Sequence, residues 1–309
     1  GSYHPDGFLR PDEKGSILKY IRPLIRDADI TIGNLEGTLC DSGTTEKCEP
    51  DSIDCYVFRM PEIYGADLKS AGFDFLSLAN NHIGDFGTEC VTKTEEVLDS
   101  QNIGWSGRPG TYSSKAVSGV QIAFIAFHSG GYCNSSLDLE NAAEMVSNLK
   151  LDHDIVVVSI HGGAEGLAAM HLPDSIEYYL GENRGHMIEF SHRMIDAGAD
   201  LIMGHGPHIA RAMELYKGKL VAYSLANFAT YGRFNLQAER RFGAVLDIKL
   251  SQDGDLLGAR IISIEQKYWG VPFVDKEHRF SHLVDSLSAA DLPLSGARFK
   301  SDGTLILAD

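Results

Sequence analysis

The stretch DIVVVSIHGG, residues 154–163, decides the fold class, because it joins a continuous apolar run to an abrupt polar turn. An apolar run of this length, rich in β-branched residues, is typical of a central strand that is covered on both faces. The turn begins at His161, and its two glycines allow the backbone to bend sharply. We therefore expect a parallel strand inside an α/β sheet, with a ligand-binding turn at its carboxyl end.

Strand-like and helix-like segments alternate on both sides of this stretch. The predicted strands are 29–33, 74–79, 121–127, 200–203 and 220–225, and the predicted helices are 16–27, 61–71, 88–100, 137–149 and 185–197. Pro23 is expected to kink or shorten the first helix, and Gly72 and Gly198 are expected to end two others. After residue 240, two alternating segments around Asp253-Gly254 predict a β-hairpin. The sequence thus predicts one α/β domain over residues 1–309, with a β-rich C-terminal part and an extension over 266–309.

Charge and hydropathy exclude several classes of protein. The chain has 27 Lys+Arg against 43 Asp+Glu, a formal net charge of −16, which repels nucleic acid and anionic membrane surfaces. A polyanionic substrate would need a cation or a local arginine cluster to bind. No run of about 18 apolar residues occurs, so no transmembrane span is expected in this chain.

The five cysteines bear on the compartment in which the protein works. They are Cys40, Cys48, Cys55, Cys90 and Cys133. A loop-closing disulfide such as Cys48–Cys55 is expected in a secreted protein, and five unrelated free thiols are the alternative. An odd number leaves at least one thiol over. No Cys-x-x-Cys pair occurs, which argues against a thiolate zinc site.

Polar residues crowd the carboxyl ends of the predicted strands, where α/β folds bind ligands. Following the strands in chain order, they are Glu36, then Asn80, Asn81, His82 and Asp85, then His161, then His205 and His208, and finally Asn227. Imidazole, carboxylate and amide oxygen together suit zinc, manganese or iron. A single histidine at a strand end is more often a hydrogen-bonded structural residue, but the repetition at successive strands favours a metal site.

Four motifs together resemble a known family. They are GNLEG (33–37), GFDFLSLANNHIGDFG (72–87), VVVSIHGGAEG (156–166) and AGADLIMGHGPHIARAMELYKGKLVAYSLANF (197–228). In this order the set is similar to the bacterial CapA family, the capsule and poly-γ-glutamate synthesis-associated proteins of the calcineurin-like metallophosphatase superfamily. The resemblance covers roughly residues 20–250.

The resemblance implies a four-layer αββα metallophosphatase-like sandwich with one or two divalent metal ions, manganese, zinc or iron, at the strand ends. By position, it implies the metal ligands Glu36, Asn81, His161, His205 and His208. It also implies that His82 protonates a leaving group, with Asp85 near enough to orient it. A carboxylate partner fixes the tautomer of an imidazole, which suits a general acid.

Two features depart from the family's pattern. The family opens with a strand and a Gly-Asp pair whose Asp binds the first metal, and nothing before residue 29 supplies this pair. Gly84-Asp85 and Gly254-Asp255 stand elsewhere in the order. We expect an N-terminal segment outside this sequence to carry the motif. Without it, one metal site is short of a carboxylate and one sheet edge lacks its strand. Ala226 also stands where the family usually has glycine.

Several residues near the motifs are candidates for binding an anionic substrate. Arg184, Arg211 and Asn227 are the predicted substrate-binding residues, and Arg59 and Arg233 lie in flanking loops. The guanidinium group binds carboxylate or phosphate through paired hydrogen bonds. The alternative for each arginine is an ordinary salt bridge.

Three functions are compatible with these features. The first is a metal-dependent hydrolase that acts on a phosphoester or related bond in capsule or poly-γ-glutamate biosynthesis. Its substrate would be a small anion, or an envelope polymer or its precursor. The second is a non-catalytic accessory of capsule polymer assembly or export, which holds polymer or capsule-synthesis partner proteins. The third is metal-dependent amide or peptide chemistry, since a metal polarises a carbonyl as well as a phosphoryl group. We expect the protein to be bacterial and extracytoplasmic, anchored to the cell envelope through the missing N-terminal segment.

Overall fold

The computed structural model describes residues 16–45, 47–48, 55–232 and 234–307. Strands and helices alternate through the first two thirds of the chain, as predicted. The α-helices of the described residues are α1 (Arg22–Ile25), α2 (Tyr64–Ala71), α3 (Gly87–Ser100), α4 (Leu139–Asp152), α5 (Met187–Asp196) and α6 (Arg279–Asp291). The strands are β1 (Ile32–Asn34), β2 (Thr38–Leu39), β3 (Arg59–Met60), β4 (Phe75–Ser77), β5 (Gly104–Ser106), β6 (Ser113–Val117), β7 (Val120–His128), β8 (Ile155–His161), β9 (Glu177–Tyr179), β10 (Glu182–Gly185), β11 (Leu201–His205), β12 (Met213–Tyr216), β13 (Lys219–Ala222), β14 (Phe242–Leu250), β15 (Leu256–Lys267), β16 (Val271–Val274), β17 (Arg298–Phe299) and β18 (Leu305–Ile306).

The central sheet has six strands in the order β12-β13-β11-β8-β7-β6. Strands β13, β11, β8 and β7 are parallel, and the antiparallel strands β12 and β6 lie at the two edges. All seven residues of β8 are buried, as expected for a strand that is covered on both faces. Helices α4 and α5 pack on this sheet. Helix α4 buries Ala142, Val146 and Leu149, whose spacing places them on one helical face.

A second sheet, the parallel sheet β1-β4-β5, faces the central one. Strands β4 and β5 contact β7, and the rings of Phe75 and Phe124 stack with centroids 5.5 Å apart. Helix α3 packs against β5. The order of layers is therefore helix, sheet, sheet and helix, which is the predicted αββα arrangement. Helix α2 ends at Gly72, as predicted, where φ is +111° and glycine avoids a steric penalty.

The C-terminal part forms a third, antiparallel sheet, β14-β15-β16. The β14-β15 hairpin around Asp253-Gly254 is confirmed. The sequence reading missed α6, because the hairpin signal dominated the last third of the chain. Phe280, Val284 and Leu287 of this helix are buried. The Met213 amide in β12 donates to Ser288 Oγ at 2.9 Å, so the C-terminal extension is tied to the edge of the central sheet.

An open slot separates β1 from β14. Among the described residues, β1 is hydrogen-bonded along one edge only, and the second edge of β14 is bridged only at Gly243, to Ala226. The slot has a volume of about 800 Å³, and much of its lining is apolar, including Leu76 and Val157. One part of the lining is formed by Glu36, His205 and Asn227. The slot thus links the open edge of β1 and most of the outer edge of β14 to the predicted metal ligands.

The first predicted helix, 16–27, is shorter than expected. Residues 17–21 form turns, and α1 is a single turn with Pro23 at its first positions. Proline is accommodated at a helix start but not inside a helix, since it lacks the amide hydrogen. None of the described helices is long and apolar enough to cross a membrane.

Two disulfide bonds are present among the described cysteines. Cys48–Cys55 joins residues seven apart, as predicted. Cys40–Cys90, which the sequence did not reveal, joins residues fifty apart and fixes the segment after β2 to helix α3. Cys133 is free and buried.

Candidate metal centre

Three histidines form a row at the carboxyl ends of neighbouring parallel strands. His128 of β7 pairs in register with His161 of β8, and His161 pairs with His205 of β11. Residues in register on adjacent strands point to the same face of a sheet, so the strand alignment brings the three rings together. His128 Nδ1 donates to the carbonyl oxygen of His161 at 2.7 Å. This alignment explains why the predicted ligands His161 and His205 lie side by side at the strand ends.

The environment of this row keeps the imidazoles neutral. His161 is fully buried, and burial lowers its pKa well below the usual value. Burial likewise lowers the pKa of His205 to about 4 and that of His128 to about 4. A neutral imidazole is the form that binds a metal ion.

The turn after β11 is packed directly against the turn after β8. We call the turns that carry His161–Glu165 and His205–His208 the central-sheet turns. The amide of Gly162 donates to the carbonyl oxygen of His205 at 2.9 Å. Gly206 has φ of +117°, and a Cβ there would lie 2.6 Å from the carbonyl oxygen of Gly162. Only glycine permits this close approach of the two turns.

His208 and Glu36 meet across the site. His208 Nε2 lies 3.4 Å from Glu36 Oε1, and His208 Nδ1 lies 2.8 Å from Asn227 Oδ1. Donation from Nδ1 to Asn227 leaves Nε2 directed at the carboxylate, as in histidine ligands oriented by a polar partner. Burial alone raises the pKa of Glu36, but the imidazoles of His208 and His82 outweigh it, and the pKa is lowered overall. Asn227, predicted to bind substrate, therefore positions His208.

The turns after β1 and β4, which carry Asn34–Gly37 and Asn80–Asp85, are here called the second-sheet turns. Asn80 Nδ2 donates to the carbonyl oxygen of Leu35 at 2.9 Å, and this bond places Glu36 beside the second turn. The His82 amide donates to Asn80 Oδ1 at 3.1 Å. The side chain of Asn81, a predicted ligand, carries a buried oxygen in the same turn.

The structure brings the predicted pair His82 and Asp85 together. His82 Nδ1 lies 2.7 Å from Asp85 Oδ2, and the Phe58 amide donates to the same oxygen at 2.8 Å. His82 Nε2 lies 3.9 Å from Glu36 Oε1, so the ring faces the candidate centre. The side chain of Asp85 is thus held by one backbone donor while it orients the imidazole.

Lys47 is a site residue that the sequence reading missed. Its Nζ lies 2.5 Å from Asp85 Oδ1 and 3.2 Å from the carbonyl oxygen of Asn81. Lys47 precedes Cys48, which forms the Cys48–Cys55 disulfide. No sequence signal marks Lys47, because its loop meets the site only through the fold.

Glu165 is a second missed residue, next to the predicted Arg184. Glu165 Oε1 lies 3.2 Å from Arg184 Nη1, and Glu165 Oε2 lies 3.7 Å from His208 Nε2. Burial raises the pKa of Glu165, although His208 and Arg184 act in the opposite direction. Arg184 also pairs with Glu182, its Nε lying 3.0 Å from Glu182 Oε2. Glu165 and Glu182 thus both compensate the positive charge of Arg184, the predicted anion-binding residue. The position of Glu165, four residues after His161, was the available signal.

Arg211 is not brought to the site. Its side chain is fully buried and forms a paired ion contact with Glu177, at 2.8 and 2.6 Å. Its Nε donates to the carbonyl oxygen of Ala169, and its Nη2 also donates to that of Ala164. Arg211 therefore braces the loop after β8, and the placement favours the structural alternative for this residue.

Two further arginines and Ala226 flank the motifs. Arg59 donates to the carbonyl oxygen of Gly43 at 2.7 Å, and Arg233 lies outside the described residues. Ala226 has φ of +57°, a left-handed conformation that favours glycine. This conformation explains why the resemblance places glycine at that position.

The donor set fits divalent metal ions in its chemistry. Several buried ligand atoms have no hydrogen-bond partner: Glu36 Oε1, Asn81 Oδ1, both ring nitrogens of His161, and His205 Nε2. Leaving such an atom unsatisfied costs about 1–3 kcal/mol, and metal coordination satisfies it. Within the part of the chain that the structure describes, however, no three His, Cys, Asp or Glu side chains form a ready-made metal-binding group. The ligand atoms are therefore available but do not already surround one point.

A comparison with protein families shows to which family the chain belongs. The bacterial capsule synthesis protein family PGA_cap matches residues 9–231. The chain belongs to this family. The matched range includes every predicted site residue of the PGA_cap chain.

Two relatives of this PGA_cap chain have names that concern capsule synthesis. The PGA biosynthesis protein CapA of Bacillus subtilis (strain 168) is 29% identical over 236 residues, which are 70% of this chain and 58% of that protein. The capsule biosynthesis protein CapA of Bacillus anthracis is 25% identical over 234 residues, 69% of this chain and 53% of that protein. The chain thus spans little more than half the length of these relatives.

Solved structures are more distant from this PGA_cap chain. A 5′-nucleotidase precursor from Thermus thermophilus has a TM-score of 0.41 and 12% identity, and the alignment covers 75% of this chain and 46% of that one. A similarity this low says nothing about the activity of the present chain.

Proposed function

We propose that this protein is a metal-dependent hydrolase that acts on a phosphoester or related bond in capsule or poly-γ-glutamate biosynthesis. The observation that carries the proposal is the group of unpartnered ligand atoms of Glu36, Asn81, His161 and His205 beside an oriented His82. Family membership and the names of the Bacillus relatives support the capsule context.

The side chains take distinct parts in this proposal. Divalent ions would be held by the predicted ligands Glu36, Asn81, His161, His205 and His208. When bound, such ions lower the pKa of a coordinated water and neutralise a phosphoryl group. His82 donates a proton to the leaving-group oxygen, and Asp85 fixes its tautomer through the 2.7 Å contact at Nδ1. Arg184, which lies beside Glu165, is the candidate arginine for an anionic substrate.

We also propose that the described residues form one domain whose slot receives a further β-strand from outside those residues. Support comes from the open edge of β1, from the edge of β14 beyond the Gly243–Ala226 bridge, and from the apolar lining. Unpaired strand edges accept another strand through backbone hydrogen bonds. Since the slot reaches Glu36 and His205, residues that follow such a strand would lie at the site and could add a carboxylate.

The proposed location is the bacterial cell envelope, outside the cytoplasm. Two disulfides support it, because disulfides persist in oxidising compartments. The net charge of −16 disfavours bulk electrostatic binding of an anionic envelope polymer. A polymer, its precursor or a small anion would therefore be contacted through metal ions.

One observation favours the alternative of a non-catalytic accessory for capsule polymer assembly. The described residues contain no ready-made group of three metal-binding His, Cys, Asp or Glu side chains. An accessory protein could use the same scaffold to hold polymer or capsule-synthesis proteins without turnover.

Metal analysis combined with hydrolysis assays separates the three functions. The full-length native protein is analysed for zinc, manganese and iron, and is then incubated with a chromogenic phosphodiester and, separately, with a γ-glutamyl amide. The hydrolase proposal expects stoichiometric metal and phosphodiester turnover. Cleavage of the amide alone would indicate amide chemistry. Absence of both metal and turnover would contradict the hydrolase and favour the accessory.

A further inference from the structure

Glu165 lies at the junction of the metal-ligand set and the buried arginine. Its Oε2 faces His208 Nε2 at 3.7 Å, and its Oε1 faces Arg184 Nη1 at 3.2 Å. Oε1 is buried and has no partner of hydrogen-bond geometry. Glu165 lies within the motif VVVSIHGGAEG (156–166), but it is not among the metal ligands that the resemblance implies.

The backbone on both sides of Glu165 is fixed. The Gly163 amide donates to the carbonyl oxygen of Arg184 at 2.9 Å, and the Gly166 amide donates to that of Pro207 at 3.0 Å. The Ala164 amide donates to Glu177 Oε2 at 3.0 Å. A residue between anchored neighbours holds its carboxylate in one region, so Glu165 is preorganised as a binding group.

The two distances from His208 Nε2 are close to the separation of ligands on one ion, although the three side chains do not already form a ready-made metal-binding group. Two ligands of a tetrahedral ion, each about 2.1 Å from the ion, are about 3.4 Å apart. His208 Nε2 lies 3.4 Å from Glu36 Oε1 and 3.7 Å from Glu165 Oε2. Donation from His208 Nδ1 to Asn227 leaves the Nε2 lone pair directed towards both carboxylates. Side-chain adjustments of this size are common on binding.

We infer that Glu165 is a carboxylate ligand of a divalent cation, which it binds together with Glu36 and His208. The inference rests on the proposed function, since it concerns the same centre. It gives that centre a second carboxylate from the described chain. Arg184 then compensates the negative charge of Glu165 when no ion is bound.

The test measures metal binding directly rather than activity. The full protein is stripped with a chelator and titrated calorimetrically with Mn²⁺ and with Zn²⁺. Glu165→Gln, which keeps the shape of the side chain, is expected to weaken binding about tenfold or more. Glu182→Gln is the matched control, because it removes the exposed carboxylate from the same arginine. It is expected to bind the ions as the unmodified protein does.

Two further variants separate a ligand from a positioning role. If Glu165 acted only through Arg184, Arg184→Gln would weaken binding as much as Glu165→Gln does, and that result would overturn the inference. The ligand role expects unchanged or tighter binding in Arg184→Gln, because a nearby positive charge is removed. Glu165→Asp, which draws the carboxylate back by one carbon, is expected to give intermediate affinity and serves if Glu165→Gln fails to fold.

The outcomes distinguish this inference from the function on which it rests. Unchanged affinity in Glu165→Gln, with normal metal binding and turnover in the unmodified protein, would overturn the Glu165 assignment alone. Lack of metal binding in the unmodified protein would overturn both.

Discussion

The two groups of turns that form the candidate centre are held in place by different means. The central-sheet turns are fixed by backbone packing, with Gly206 against Gly162 and the paired strand ends of His161 and His205. The second-sheet turns depend on side-chain hydrogen bonds, such as that from Asn80 to the carbonyl oxygen of Leu35. The backbone-packed side therefore presents ligands with little freedom, and the hydrogen-bonded side carries the proposed proton donor.

The largest effect on metal content and turnover is expected when a predicted ligand on the central-sheet side is removed. His161→Ala removes two unpartnered ring nitrogens from a fully buried position, so bound metal and turnover should both be lost. Elemental analysis and the phosphodiester assay measure this. His282→Ala, in an exposed histidine, is the control and should retain both. Stoichiometric metal in His161→Ala would remove this residue from the ligand set.

On the second-sheet side, His82→Ala should separate metal binding from turnover. We expect the metal content to stay near that of the unmodified protein while kcat falls by about 10²–10⁴-fold, as for loss of a general acid. Asp85→Asn should give a smaller loss, because the imidazole remains but loses its carboxylate partner. Full activity in His82→Ala would show that the acid role is wrong.

The two disulfides are expected to contribute different amounts to the free energy of unfolding. Replacing Cys40 and Cys90 by alanine removes a link across fifty residues and should lower the free energy of unfolding by about 2–4 kcal/mol. Replacing Cys48 and Cys55 opens a link across seven residues and should cost less, because the closed loop is shorter. Urea unfolding of the two double variants measures the difference. An equal loss would contradict the dependence on loop length.

A dependence of stability on pH is also expected from the central-sheet side. Burial lowers the pKa of His205 from its ordinary 6.5 to about 4, so the unfolded chain binds this proton more readily than the folded one. The stabilisation is fully present above pH about 6.5 and is lost as the pH falls towards about 4, by about 1.4 kcal/mol per pH unit.

Urea unfolding of the metal-free protein between pH 4.5 and 7.5 measures this dependence. His205→Asn, which cannot titrate, should show a shallower decline than the unmodified protein at the acid end. Identical slopes would mean that His205 is not kept neutral in the folded chain.

Those residues that belong to strand ends could be predicted from the sequence. The apolar run before His161 and the Gly-rich turns around His205 mark both strands, and parallel pairing then brings the residues together. Glu165 could not be assigned in this way, because its meeting with His208 depends on how two loops fold back. Lys47 depends on a disulfide loop that no periodicity describes.

The two arginines show a further limit of sequence reading. Arg184 and Arg211 look equivalent beside their motifs, yet Arg184 lies beside Glu165 at the site and Arg211 is buried against Glu177. Their difference follows from the β9-β10 hairpin, which carries Glu177 and Arg184 and has no strong sequence signal. Helix α6 was missed for a similar reason, since its apolar spacing was masked by the hairpin signal before it.

The burial of Cys133 has a consequence for how the chain acquires its correct disulfides. Burial raises the pKa of this thiol to about 12, so at pH 7 about one molecule in a hundred thousand carries the reactive thiolate. Disulfide exchange requires a thiolate to attack a sulfur atom. Once Cys133 is enclosed, the odd cysteine can no longer scramble Cys40–Cys90 or Cys48–Cys55, and the native pairing is protected kinetically.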